Sequence, residues 1–81
     1  MNTQNLKRKK RTSVYQLVRM IAKRNGATVC VNENTYSLYK EDAWCGSIDK
    51  SGINQQGIMR KYVLSYDENE GWYIDGIIIN D

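Results

Sequence analysis

The feature that most constrains this chain is a change of rhythm at Asn25-Gly26. Before it, Val14, Leu17, Val18, Ile21 and Ala22 recur at the three-to-four spacing of one buried helical stripe. After it the apolar residues recur every second position, the spacing of half-buried strands. A chain with this order folds as one N-terminal amphipathic helix packed on a small antiparallel sheet, the α+β class.

The helix is marked at both ends. Ser13 followed three residues later by Gln16 fits a capping box, in which the hydroxyl takes a free N–H and the amide reaches back. Asn25-Gly26 supplies a left-handed stop. An earlier start would bring Lys7, Lys10 and Arg11 onto the side of Val14, Leu17 and Ile21 and bury unpaired charge. The packed helix therefore begins near Thr12 or Ser13. Residues 1–11 read as a disordered basic arm and residues 12–81 as a single α+β domain.

Residues 27–32 read as the first strand, with Val29 and Val31 on one face, and Glu33-Asn34 as a turn. Residues 35–40 alternate Tyr36 and Leu38 against Ser37 and Tyr39. Residues 44–48 are either a short strand or the continuation of that one after a kink. Residues 49–52 carry turn chemistry, and 53–57 form a polar loop. Residues 58–66 alternate again, putting Ile58, Arg60, Tyr62, Leu64 and Tyr66 on one side. Residues 67–71 form a hairpin loop and residues 72–79 the last strand, which gives a sheet of about four strands. Ile77, Ile78 and Ile79 make both faces of that last strand apolar. Either another surface covers it, a second copy in a homodimer included, or one isoleucine is simply exposed.

The net charge of +3 conceals a strong polarity. Residues 1–26 hold eight Lys or Arg and no acid, whereas residues 27–81 hold four against nine acids. Such asymmetry points to nucleic acid, a membrane surface or an acidic partner. No apolar run is long enough for a signal peptide or a membrane span, so no membrane partner is expected. Two cysteines in 81 residues are no disulfide framework. The chain reads as an intracellular protein, cytoplasmic, or nuclear in a eukaryotic host.

Chemistry is sparse. The chain has no histidine, the side chain most often used as a general base near neutral pH. Cys30 and Cys45 are too few for a structural zinc site and lack an imidazole to activate a thiol, so they read as buried small hydrophobes. Residues 67–71 resemble the start of a calcium loop, but the twelfth position is Ile78 where a bidentate acid is required. Residues 45–52 lack the Gly-Lys-Ser/Thr spacing that cradles phosphate. No enzymatic activity, cofactor or metal is expected. In a protein without phenylalanine, Trp44, Trp72, Tyr62 and Tyr66 read as core, with Tyr39 and Tyr73 outward.

The basic arm carries the functional expectation. Lys7, Arg8, Lys9, Lys10 and Arg11 are consecutive and precede a helix N-terminus, where cations oppose the dipole by roughly 0.3–1 kcal/mol each when close. A sequence shaped for stability alone places acids there. Polyanion binding accounts for the run, since each neutralised phosphate releases counterions. Eleven extended residues reach roughly 35–40 Å, enough to follow a backbone. Arg19, Lys23 and Arg24 extend the positive field along the exposed side of the helix. Tyr15, Gln16, Arg19 and Lys23 on that side are groove-reading types, Arg for guanine and Gln for adenine. A helix-turn-helix needs more helices than this chain supplies, so phosphate contact from Arg19 and Lys23, rather than base reading, is expected.

The leading expectation is a small nucleic-acid-binding protein contacting phosphates of DNA or RNA through these eight cations. Its size suits a regulator or accessory factor of a virus or mobile element. The alternative is an inhibitor or adaptor that binds a larger protein. There the arm docks on an acidic surface, or Glu41, Asp42, Asp67, Glu68 and Glu70 mimic phosphates toward a basic groove.

Overall fold

The computed structural model describes residues 11–79. In chain order these form helix α1 (Val14–Asn25), strands β1 (Thr28–Val31), β2 (Thr35–Lys40), β3 (Ala43–Asp49) and β4 (Gln56–Gly57), one turn of 3-10 helix (Ile58–Lys61), and strands β5 (Tyr62–Asp67) and β6 (Gly71–Ile77). Lys7, Arg8, Lys9 and Lys10 of the expected arm lie outside the described residues. The fold is α+β: one helix with an antiparallel sheet ordered β1-β2-β3-β4 and a separate β5-β6 hairpin.

Helix α1 forms where its local signals place it. The Ser13 hydroxyl accepts from the Gln16 amide at 3.1 Å, and Gln16 Oε1 accepts from the Ser13 amide at 2.9 Å, the reciprocal capping box. Gly26 ends the helix at φ 67°, with its N–H returned to the last-turn carbonyls. Val14, Leu17, Val18, Ile21 and Ala22 are all buried. They meet Leu38 of β2, Ile48 of β3, and Met59 and Tyr62 in one core. Burying each of the larger side chains contributes about 1.5–3 kcal/mol, a large share of the stability of a domain this small.

Two hairpins build the main sheet. Asn32 closes the β1–β2 turn: its side-chain amide donates to Thr35 Oγ1 at 3.2 Å and to Ser37 Oγ at 2.9 Å, which satisfies the buried Ser37 hydroxyl. The β2–β3 turn consists of Glu41 and Asp42, both at positive φ (51° and 67°). Residues 43–49 are therefore a separate strand, joined by a two-residue turn whose twist suits a hairpin.

The sheet ends earlier than the alternation implies. At Gly57 the backbone adopts φ 60° and ψ −138° and leaves the sheet. Residues 58–61 then coil, where the spacing predicts extended strand. The Gln55 amide holds the coil, donating to the carbonyls of Met59 at 2.6 Å and Tyr62 at 2.8 Å. The result turns Met59, rather than Ile58, wholly into the core. The fourth strand of the main sheet is thus the short β4, and the last two strands form a separate two-stranded sheet.

The β5–β6 hairpin is tied to the helix entrance. Thr12 donates its N–H to the Glu70 carbonyl at 3.0 Å and accepts from the Trp72 N–H at 2.9 Å, forming a parallel bridge with Gly71. Within the hairpin turn, the Asp67 carboxylate accepts from the amides of Asn69 and Glu70, both at 2.8 Å.

Several aromatic and cysteine positions differ from the sequence reading. Trp44 is 51% exposed, because the register puts it opposite Tyr39 beside the Glu41-Asp42 turn, at the thin end of the hairpin. Tyr66 is exposed and meets the half-buried Trp72 edge-on at 5.6 Å. Cys30 is exposed on β1, an edge strand of the main sheet, and Cys45 is half-buried; both are free thiols. Ile77, Ile78 and Ile79 are all exposed in the single chain.

Candidate nucleic-acid interface

The capping box fixes where the first outward side chains of α1 fall. Tyr15 and Gln16 follow immediately, and Arg19 lies one turn on from Tyr15, with Lys23 a further turn along. All four are exposed, and α1 contains no acidic residue. The Arg19 guanidinium sits 5.7 Å from the centre of the Tyr15 ring, within cation–π range. On its sheet side, Tyr15 packs against Tyr36 of β2 with ring centres 5.5 Å apart and planes inclined by 45°. Lys50, at the end of β3, places its ammonium 5.6 Å from the Tyr36 ring. The order Arg19, Tyr15, Tyr36, Lys50 therefore sets two adjoining rings between two cations, running from the helix onto the sheet.

Two shallow hollows flank this ridge, each of about 590 Å³ and open to solvent. One lies between the helix and β1 and is lined by Arg19, Lys23, Ala27 and Thr28. The other lies toward the helix start and is lined by Arg11, Ser13, Gln16 and Arg19. Tyr15 and Arg19 line both. Arg11 is further held by a 3.5 Å contact from Nη1 to the Tyr66 hydroxyl.

The structure thus gathers three of the eight expected cations, Arg11, Arg19 and Lys23, around one exposed ring. It separates Arg24, which lies about 140° further round the helix than Arg19. The Arg24 guanidinium instead approaches the Tyr62 ring at 6.0 Å. Gln16 is also diverted, since its Oε1 is committed to the helix cap. Sequence reasoning missed Tyr36 and Lys50. Their tie to Tyr15 depends on which side of β2 faces the helix, and only alternation along residues 35–40 hinted at that.

The expected acidic surface is distributed over two turns. Glu41 and Asp42 form the β2–β3 turn, while Asp67, Glu68 and Glu70 belong to the β5–β6 hairpin. The Asp67 carboxylate is occupied by its own turn. Among the described residues, no group of three or more cysteines and acids is placed to hold a metal ion, and no helix is long and apolar enough to cross a membrane.

Compared with known proteins, the chain matches no family model, no curated protein and no solved structure.

Proposed function

We propose that this protein binds nucleic acid without catalysing a reaction on it, holding phosphates with Arg11, Arg19 and Lys23 and with the basic residues Lys7, Arg8, Lys9 and Lys10. The observation that carries this reading is the meeting of three cations at two adjoining hollows on a helix with no acid. A chain selected for stability alone gains nothing from cations ahead of a helix N-terminus, because they oppose its dipole. A polyanion gains from them through counterion release. Arg24, on the other side of the helix and against Tyr62, is outside this contact set.

Fluorescence anisotropy of labelled single-stranded DNA, RNA and duplex DNA, titrated with the full chain at two salt concentrations, tests the proposal. Binding that weakens steeply with salt, and weakens further when residues 7–11 are changed to glutamine, supports it. Absence of binding at low salt overturns it. It would turn attention to a protein partner for the arm or for the acidic turns.

A further inference from the structure

The ridge between the two hollows bears on which nucleic acid is bound. Taking nucleic-acid binding as the premise, we infer that the Tyr15 ring and the Arg19 guanidinium, 5.7 Å from its centre, form a stacking site for an unpaired base, and that the preferred ligand is a single strand. Arg11 and Lys23 hold phosphates in the hollows on either side.

The ridge presents the right surface for this. Tyr15 is 37% exposed, yet it is held on its sheet side by the half-buried Tyr36, so the ring is braced against the sheet. A braced ring loses little freedom when a base settles on it. Bases stack on aromatic rings and on guanidinium planes alike, and every base has a π-face, so such a site tolerates sequence. The hollows open to both sides of the ridge, and besides the shared Arg19 each carries one cation of its own, Lys23 in one and Arg11 in the other. A base on the ridge therefore has a positive hollow on each side to receive its neighbouring phosphates. Lys50, beyond Tyr36, carries the positive field further along the same line.

A duplex suits this surface less well. Its bases are stacked on one another and offer only their edges in the grooves, which are read by hydrogen-bonding side chains. Of the two side chains here suited to reading an edge, Gln16 has its oxygen engaged in the helix cap and Arg19 holds its guanidinium against the Tyr15 ring.

The test compares three labelled probes of one sequence by anisotropy with the full chain: a short single strand, the corresponding duplex, and the same strand with abasic sites replacing its bases. Single strands are run as both DNA and RNA. The single strand is expected to bind about tenfold or more tightly than the abasic strand. Tyr15→Leu, which stays apolar but removes the ring, should lose about tenfold on the single strand while leaving the abasic strand and the salt slope unchanged. Tyr15→Trp should retain or improve binding. Circular dichroism confirms that the variants fold, as expected for an exposed position. Equal affinity for the single and abasic strands overturns the inference, as does a preference for the duplex or an equal loss on every probe with Tyr15→Leu. In each of those cases salt-sensitive binding would survive and the broader reading with it. No salt-sensitive binding to any probe overturns both.

Discussion

Thr12 and Gly71 lie side by side in a parallel bridge that fastens the entrance of the helix to the first residue of the last strand. Gly71 has φ 86°, and a β-carbon there would strike the Thr12 backbone. The bridge also fixes the backbone next to Arg11, the residue that precedes Thr12.

Gly71→Ala should therefore be among the most damaging substitutions of a single methyl group. The left-handed backbone alone costs about 1–2 kcal/mol for a residue with a β-carbon, and the collision with Thr12 adds to it. Thermal unfolding should shift down by roughly 10 °C or more. An unchanged midpoint would mean that the bridge contributes nothing to the fold.

Gln55 makes a comparable contribution from a position that looks like loop. Its amide donates to the Tyr62 carbonyl and to the Met59 carbonyl, which also accepts from the Tyr62 N–H, and so clamps the 3-10 turn to the start of β5. Gln55→Glu is nearly isosteric but can only accept when ionised, so both side-chain bonds are lost and a carboxylate faces two carbonyl oxygens. Urea unfolding should show a loss of about 2 kcal/mol, with the midpoint lowered and the slope unchanged.

These two positions show what the sequence conceals. Helix α1 is legible because its signals are local: Ser13 and Gln16 cap one end, Gly26 the other, and the stripe between them has one period. Residues 58–61 are not, because Ile58, Arg60 and Tyr62 alternate as a strand does. What coils them is Gly57 and a side chain from outside the segment. Residue type alone points Trp44 and Tyr66 inward, whereas their place at hairpin ends decides their exposure. In the site the cations are legible as charge. Their division between the Tyr15 side and the Tyr62 side, and the bracing of Tyr15 by Tyr36, depend on packing across distant parts of the chain.

The β2–β3 turn leaves stability unclaimed. Asp42 sits at φ 67°, where a residue with a β-carbon is strained and glycine is not. Asp42→Gly should stabilise the fold by about 1 kcal/mol and raise the thermal midpoint by roughly 4–8 °C. Because this turn is remote from Tyr15 in sequence and takes no part in the ridge, nucleic-acid binding should not change. A weaker complex after this substitution would implicate the turn in recognition.

Arg11 should show the opposite balance of stability and function. It stands two residues ahead of the Ser13 cap, where a cation opposes the helix dipole. Arg11→Gln should leave stability unchanged or raise it by a few tenths of a kcal/mol, while weakening binding to a single strand at low salt. Paired unfolding and anisotropy measurements on the same preparation check both halves. A variant that loses stability and keeps its affinity would assign Arg11 to the fold, through its contact with Tyr66, and not to the ligand.

The most direct test of the nucleic-acid account is the dependence of affinity on salt, measured for the full chain and for two charge variants. Arg19→Gln combined with Lys23→Gln should reduce the slope of log K against log salt by about 1.4 on a single strand, or about 1.8 on a duplex. Arg24→Gln should leave the slope as it is. A slope unmoved by the double substitution, or reduced by Arg24→Gln by about half as much as by the double substitution, would contradict a phosphate contact gathered around Tyr15.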